Sequence, residues 1–105
     1  MSSPYDRLRD VVQRLPESPG VYKFFDEEKI LIYVGKAKNI RKRVTSYFTK
    51  NSGVNRKTLK LVSEISDIDF TVANTEFDAL LLENNFIKQN QPKYNILLKA
   101  DKNFP

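Results

Sequence analysis

Two short runs rich in aromatic and β-branched residues, Gly20-Val21-Tyr22-Lys23-Phe24-Phe25 and Ile30-Leu31-Ile32-Tyr33-Val34, are separated only by Asp26-Glu27-Glu28-Lys29. That spacing leaves little choice but a β-hairpin with a four-residue loop. If Phe25 pairs with Ile30, paired positions sum to 55 and Tyr22 lies directly opposite Tyr33, with the two rings on one face. Gly35 then ends the second strand. The residues alone leave two readings of this pair open: an ordinary cross-strand aromatic contact, or two hydroxyls aimed at a common point.

A block of positive charge comes directly after the hairpin loop. Lys29, Lys36, Lys38, Arg41, Lys42, Arg43, Lys50, Arg56, Lys57 and Lys60 all fall between positions 29 and 63, with no acid among them. A solvated helix face ordinarily mixes both signs, so a one-sided block in a chain of net charge +5 argues for a polyanion, with phosphate the first candidate. No apolar run approaches the ~18 residues of a membrane span, which favours nucleic acid over a lipid surface and points to a cytoplasmic protein. The chain has no Cys and no His, so thiolate nucleophiles, imidazole bases, disulfides and the usual transition-metal ligands are excluded. Chemistry falls to Tyr, Lys, Arg, Ser, Thr and carboxylates, and a metal, if one takes part, is a hard ion such as Mg²⁺ or Mn²⁺.

At 105 residues, 40% hydrophobic and 30% charged, the chain suits one domain. Ser3 reads as an N-cap with Pro4 at the first helical position, and Tyr5, Leu8, Val12 and Leu15 form a face that ends at Pro16. Residues 37–48 form a helix with Ile40, Val44 and Phe48 buried, and Arg43 and Tyr47 are i,i+4 neighbours on its flank. A loop at Asn51-Ser52-Gly53 leads to a helix over 55–66, with Leu59, Val62 and Ile65 inward and Arg56, Lys57 and Lys60 outward. Ile68, Phe70 and Val72 alternate with polar or small residues as a third strand. Thr75-Glu76-Phe77-Asp78 is a capping box that opens a helix through about Gln89, and Pro92 follows. Residues 95–99 form a last strand or an extended tail. Glu83 has Ala79, Leu80, Phe86 and Ile87 as its helical neighbours, so a carboxylate interrupts an apolar stripe. It needs a cation: a structural ion pair or a metal. Glu76 and Asp78, in the first turn, are accounted for by the helix dipole.

Gly20-Val21-Tyr22, Tyr33-Val34-Gly35, Arg43 on a basic helix and a lone Glu83 in a later helix resemble the GIY-YIG nuclease family, with Val21 and Val34 where the family name has Ile. Tyr33-Val34-Gly35-Lys36-Ala37-Lys38-Asn39, with Arg43, Tyr47 and Pro92-Lys93-Tyr94-Asn95, is similar in particular to the N-terminal nuclease domains of the UvrC group, the incision subunits of bacterial nucleotide-excision repair. The resemblance implies an α+β fold, a three-stranded antiparallel sheet flanked by helices, in a single domain over 1–105 excised from a longer multidomain protein. It implies a divalent-metal-dependent DNA endonuclease that cuts on the 3′ side of a lesion in damaged double-stranded DNA. The partner is then the damage-verifying subunit UvrB, engaged through other domains, with the isolated domain a monomer. By the same resemblance Tyr22, Tyr33, Lys36, Arg43, Tyr47, Glu83 and Asn95 are catalytic. Glu83 is the protein ligand of a single Mg²⁺ or Mn²⁺, Arg43 meets the scissile phosphate, Tyr33 activates or orients water with Lys36 favouring its phenolate, and Asn95 holds the geometry. Lys36, Lys38, Arg41, Lys42, Arg43, Lys50, Arg56, Lys57 and Lys60 grip DNA. A non-catalytic nucleic-acid-binding module, or another nuclease of the family, homing or structure-specific, are the alternatives.

Overall fold

A computed structural model of the chain describes residues 4–48 and 56–102; Ser3, Lys50 and the loop at Asn51-Ser52-Gly53 lie outside the described residues. The elements run α1 (Pro4–Gln13), β1 (Gly20–Phe25), β2 (Leu31–Ala37), α2 (Ile40–Phe48), α3 (Arg56–Glu64), β3 (Asp67–Val72), α4 (Glu76–Asn90) and α5 (Lys93–Lys102). The sheet is antiparallel in the order β2-β1-β3. The expected α+β architecture is therefore present, with β1 central.

The hairpin forms, but its register differs from the one expected. Asp26, not Phe25, closes the turn: its N–H donates to the Ile30 carbonyl at 3.0 Å, and its carboxylate accepts from the N–H groups of Glu28 and Ile30. Lys29 takes a left-handed conformation, φ 65°, which lets the chain reverse. Phe25 then meets Leu31, and a bulge between Phe24 and Phe25 moves every later pair by one, so Tyr33 faces Phe24 and Tyr22 faces Gly35. The sum of paired positions is 57 rather than 55. Both are odd, so Tyr22 and Tyr33 still share a face, as diagonal instead of direct neighbours.

β2 does not stop at Gly35 but continues to Ala37, and α2 begins at Ile40 rather than at residue 37. The cause is capping. Asn39 accepts the Lys42 N–H on its side-chain oxygen at 3.0 Å, while the N–H groups of Ile40 and Arg41 donate to the carbonyls of Ser18 and Pro16. The loop after α1 thus takes the orphan donors of α2 and locks that helix onto the sheet.

Leu8 and Val12 of α1, Leu15, Ile40 and Val44 of α2, and Leu61 and Ile65 bury against Tyr22, Phe24 and Ile68 as one core. α4 packs on β2 and β1 from the other layer, where Lys23 of β1 lies 4.5 Å from the Phe86 ring centroid. In α3 the inward residue is Leu61, not Leu59, which is 58% exposed. The two possible stripes share Val62 and Ile65, and contact with α2 and α5 selects the side that carries Leu61.

The last segment is a helix, not a strand. The carbonyl of Pro92 accepts the first N–H groups of α5, from Asn95 and Ile96, and Tyr94 is buried beneath it. The free edge of β2 is satisfied by a side chain instead: Asn95 accepts the Val34 N–H on Oδ1 and donates from Nδ2 to the Val34 carbonyl, both at 2.8 Å. One amide thus does what a fourth strand would have done at that position.

Candidate active site

The face of the hairpin that turns toward α2 carries a compact aromatic group. Tyr22, Phe24, Tyr33 and Tyr47 lie with every pair of ring centroids between 5.2 and 6.3 Å apart, tilted or edge-on. Tyr22 comes from β1, Tyr33 from β2 and Tyr47 from α2, and Phe24 forms the floor. Tyr22 is 1% exposed, and its hydroxyl is 2.8 Å from that of Tyr47. Its ring end rests directly on Gly35, where a Cβ would collide with Tyr22 Oη and Cζ. Gly35 is therefore a socket within a strand, and sequence reasoning missed it by reading only a strand end. An isolated glycine in a strand is the available signal.

Arg43 joins this group from the same flank as Tyr47. Its guanidinium carbon is 5.5 Å from the Tyr47 ring centroid, and the groups that act most on its charge are Tyr22 first, then Tyr47 and Tyr33. Their effect raises the pKa of Arg43 against the opposing effect of its own burial. The phenols respond in the other sense to the same enclosure. Burial, with help from Tyr33, pushes Tyr22 up to about 12, although Tyr47 and Arg43 oppose it. Tyr33 and Tyr47 are also held well above the usual phenol value, chiefly by burial and then by a neighbouring tyrosine. At neutral pH the three are un-ionised hydroxyls that donate and accept protons in hydrogen bonds.

That corrects one expectation. Lys36 does not favour a phenolate at Tyr33: three residues along a strand is an odd step, so the two side chains leave opposite faces. The cation that acts on Tyr33 is Arg43.

Glu83, from α4, bears on the same group from the opposite layer: its charge contributes to the raised pKa of Tyr33. It is half-buried, with Ala79 buried, Phe86 and Ile87 half-buried and Leu80 exposed, so it stands at the margin of the packed stripe rather than at its centre. Among the described residues no three His, Cys, Asp or Glu side chains cluster as a metal cage. A single hard carboxylate beside hydroxyls fits a Mg²⁺-like ion, which keeps most of its waters, and does not fit a tightly caged metal.

The basic residues divide by position. Lys36, Lys38 and Arg43 converge on one cavity with Ala37, Glu76 and Ala79. Arg41 is taken by the fold, donating from Nε to the Leu15 carbonyl at 2.9 Å and pairing with Glu17 at 3.5 Å. Lys42 is exposed on α2, and Arg56, Lys57 and Lys60 lie on α3, where Lys57 Nζ reaches the Leu97 carbonyl. Tyr94, which sequence reasoning quoted only as part of a motif, is a tether: its hydroxyl donates to Glu64 at 2.6 Å beside a Lys93–Glu64 pair, fixing α5 to α3. That bond, ahead of Lys93, holds the Glu64 carboxyl below its ordinary range.

Comparison with known proteins bears on the family and the fold. Residues 18–96 match the family described as the UvrC-like GIY-YIG domain. The chain is 53% identical over 98 residues to the UvrABC system protein C of Cytophaga hutchinsonii and 58% identical over 98 residues to that of Bacteroides thetaiotaomicron, in each case over 93% of the chain and 16% of the relative. It thus spans about a sixth of the length of these curated relatives. The crystal structure of the GIY-YIG N-terminal endonuclease domain of UvrC from Thermotoga maritima, bound to its catalytic magnesium, superposes with a TM-score of 0.74 at 34% identity, covering 85% of this chain and 96% of that one. With the family's fold, its tyrosine pair and its sequence all present in one chain, this protein belongs to the UvrC-like GIY-YIG domain family.

Proposed function

We propose that this domain hydrolyses a DNA phosphodiester with the help of one divalent cation, and that it makes the incision on the 3′ side of a lesion in nucleotide-excision repair. The observation that carries the reading is the meeting of three phenols, Tyr22 buried and Tyr33 and Tyr47 half-buried, and Arg43 with the charge of Glu83, which no simple DNA-gripping surface requires. A carboxylate at such a place opposes polyanion binding unless a cation offsets it. The name of the relatives, UvrABC system protein C, supports a part in that system; on this reading the substrate is damaged duplex DNA, the partner is the UvrB subunit and the setting is the cytoplasm.

Each residue has a chemical task. Glu83 is the residue to hold Mg²⁺ or Mn²⁺, and that ion, when bound, supplies Lewis-acid charge for the phosphoryl oxygens. Arg43 offers a planar fork to the same oxygens from the α2 side. Tyr33, as a neutral hydroxyl, orients the attacking water, and Tyr47, bonded to Tyr22, keeps its ring and hydroxyl in place. Lys36 adds positive charge from the far face of β2. Asn95 acts at a distance from the reaction, by pinning Val34 between Tyr33 and Gly35.

The test pairs binding with cutting. Glu83→Gln keeps shape and removes charge, so it should abolish Mn²⁺ binding by calorimetry while circular dichroism is unchanged. In the full-length protein with its partner, Glu83→Gln and Arg43→Ala should each abolish 3′ incision, with only a small loss of DNA affinity. Wild-type incision by either variant would refute the assignment.

A further inference from the structure

Beside the tyrosine group is a cavity that shares Lys36 and Arg43 with the reaction and adds two residues to which the reaction gives no task, Lys38 and Glu76. Lys36, Ala37 and Lys38 from the end of β2, Arg43 from α2, and Glu76 and Ala79 from the first turn of α4 line a cavity of about 330 Å³. Three cations against one carboxylate leave the cavity net positive. Among the described residues its remaining walls are two alanines, which offer no ring on which a base could stack. Its size is at the low end for a small ligand and suits a hydrated phosphate group. Arg43 belongs both to this cavity and to the tyrosine group, which puts the two a short step apart along any strand that Arg43 touches.

Glu76 is the odd member. Its carboxylate pairs with Lys38 Nζ at 3.7 Å, with the two side chains 63% and 81% exposed. An exposed pair of this kind is weak and exchangeable. Helix-dipole stabilisation accounts for an acid in the first turn of α4, but not for its place inside a cationic cavity.

We propose, building on the nuclease reading, that this cavity seats a second phosphate of the bound strand, next to the one that is cut, and that Glu76 withholds Lys38 from it until that phosphate arrives. Glu76 is then a counter-ion that lowers the affinity of the free domain for stray anions, and Lys38 is a binding residue for the neighbouring phosphate. Neither takes part in bond breaking. Because the two are coupled, their effects on binding are not independent.

The experiment is a double-mutant cycle on this chain, with a short single-stranded oligodeoxynucleotide as probe, in EDTA, followed by fluorescence anisotropy across a salt series. Glu76→Gln should tighten binding by about two- to five-fold, the range an exposed ion pair allows. Lys38→Ala should weaken it and lower the salt slope by about 0.7, the value for one phosphate contact on a single strand. In the Lys38→Ala background Glu76→Gln should change nothing. Equal tightening in both backgrounds would show Glu76 acting only as one negative charge among others and would overturn the latch. No change from either single substitution would overturn the phosphate seat. Circular dichroism on each variant confirms folding, and Mn²⁺ calorimetry on the same wild-type sample separates the two ideas. A chain that takes no Mn²⁺ removes the nuclease reading and the seat with it, whereas Mn²⁺ binding with a flat cycle removes the seat alone.

Discussion

Asn95→Ala should do its damage at Val34, on another element, and the size of the effect follows from the bonds lost. The substitution removes two hydrogen bonds of 2.8 Å to a residue that is fully buried. Each neutral bond contributes ~1 kcal/mol net, and a buried backbone group left unpaired costs ~1–3 kcal/mol. Water can reach the opened β2 edge in part, so ~2–3 kcal/mol is the fitting total. For a chain of this length that lowers the melting temperature by roughly 10 °C or more. Hydrogen exchange gives the sharper reading: the Val34 amide should lose ~30- to 150-fold of its protection, while the amides of β1 that face β3 lose only what global destabilisation requires. Asn95→Asp is the matched control, since a carboxylate still accepts the Val34 N–H but sets oxygen against the Val34 carbonyl. It should be no more stable than Asn95→Ala at neutral pH. Unchanged exchange at Val34 in a folded Asn95→Ala protein would refute the idea that this amide secures the strand on which Tyr33 and Gly35 lie.

Gly35→Ala should cost ~1–3 kcal/mol, because the added methyl displaces the end of the Tyr22 ring from its socket; a denaturant titration with an unchanged midpoint would show that the socket yields freely. Tyr33→Phe should slow single-turnover 3′ incision by ~10²–10⁴-fold if its hydroxyl serves the attacking water, and Tyr22→Phe by less, since the Tyr22 hydroxyl is spent on Tyr47; equal, near-normal rates for both would reduce the pair to packing. The raised phenol of Tyr22 has a sign that can be checked. A group whose folded pKa, about 12, exceeds its unfolded value of 10.0 contributes stability that is full below pH 10 and is lost as pH rises toward 12. An ultraviolet titration should therefore show the buried tyrosines ionising late and together with unfolding, and Tyr22 ionising near pH 10 in folded protein would contradict its enclosure.

Several features of this domain are legible one residue at a time, because they depend on spacing along the chain alone. The alternation of β1 and β2 puts Tyr22 and Tyr33 on one face in any register whose paired positions have an odd sum, so the face survived a wrong register. The Thr75 cap is as local: its Oγ1 accepts the Asp78 N–H at 3.1 Å, as the capping box requires. The i,i+4 step joins Arg43 to Tyr47 in the same way. Tertiary structure decided whatever depends on what lies opposite. The bulge after Phe24 arises because Asp26 closes the turn on Ile30, and only that offset brings Tyr22 over Gly35. Residues 95–99 are apolar enough for a strand, yet α5 forms because one asparagine satisfies the edge of β2 and Tyr94 finds Glu64. Glu76 carries an ordinary first-turn signal, and nothing in its neighbours along the chain reveals that Lys36, Lys38 and Arg43 meet it across the fold. Periodicity reports which way a side chain points from its own backbone. It holds no information on which other backbone comes to stand in front of it, since that is set by the packing of all the layers at once.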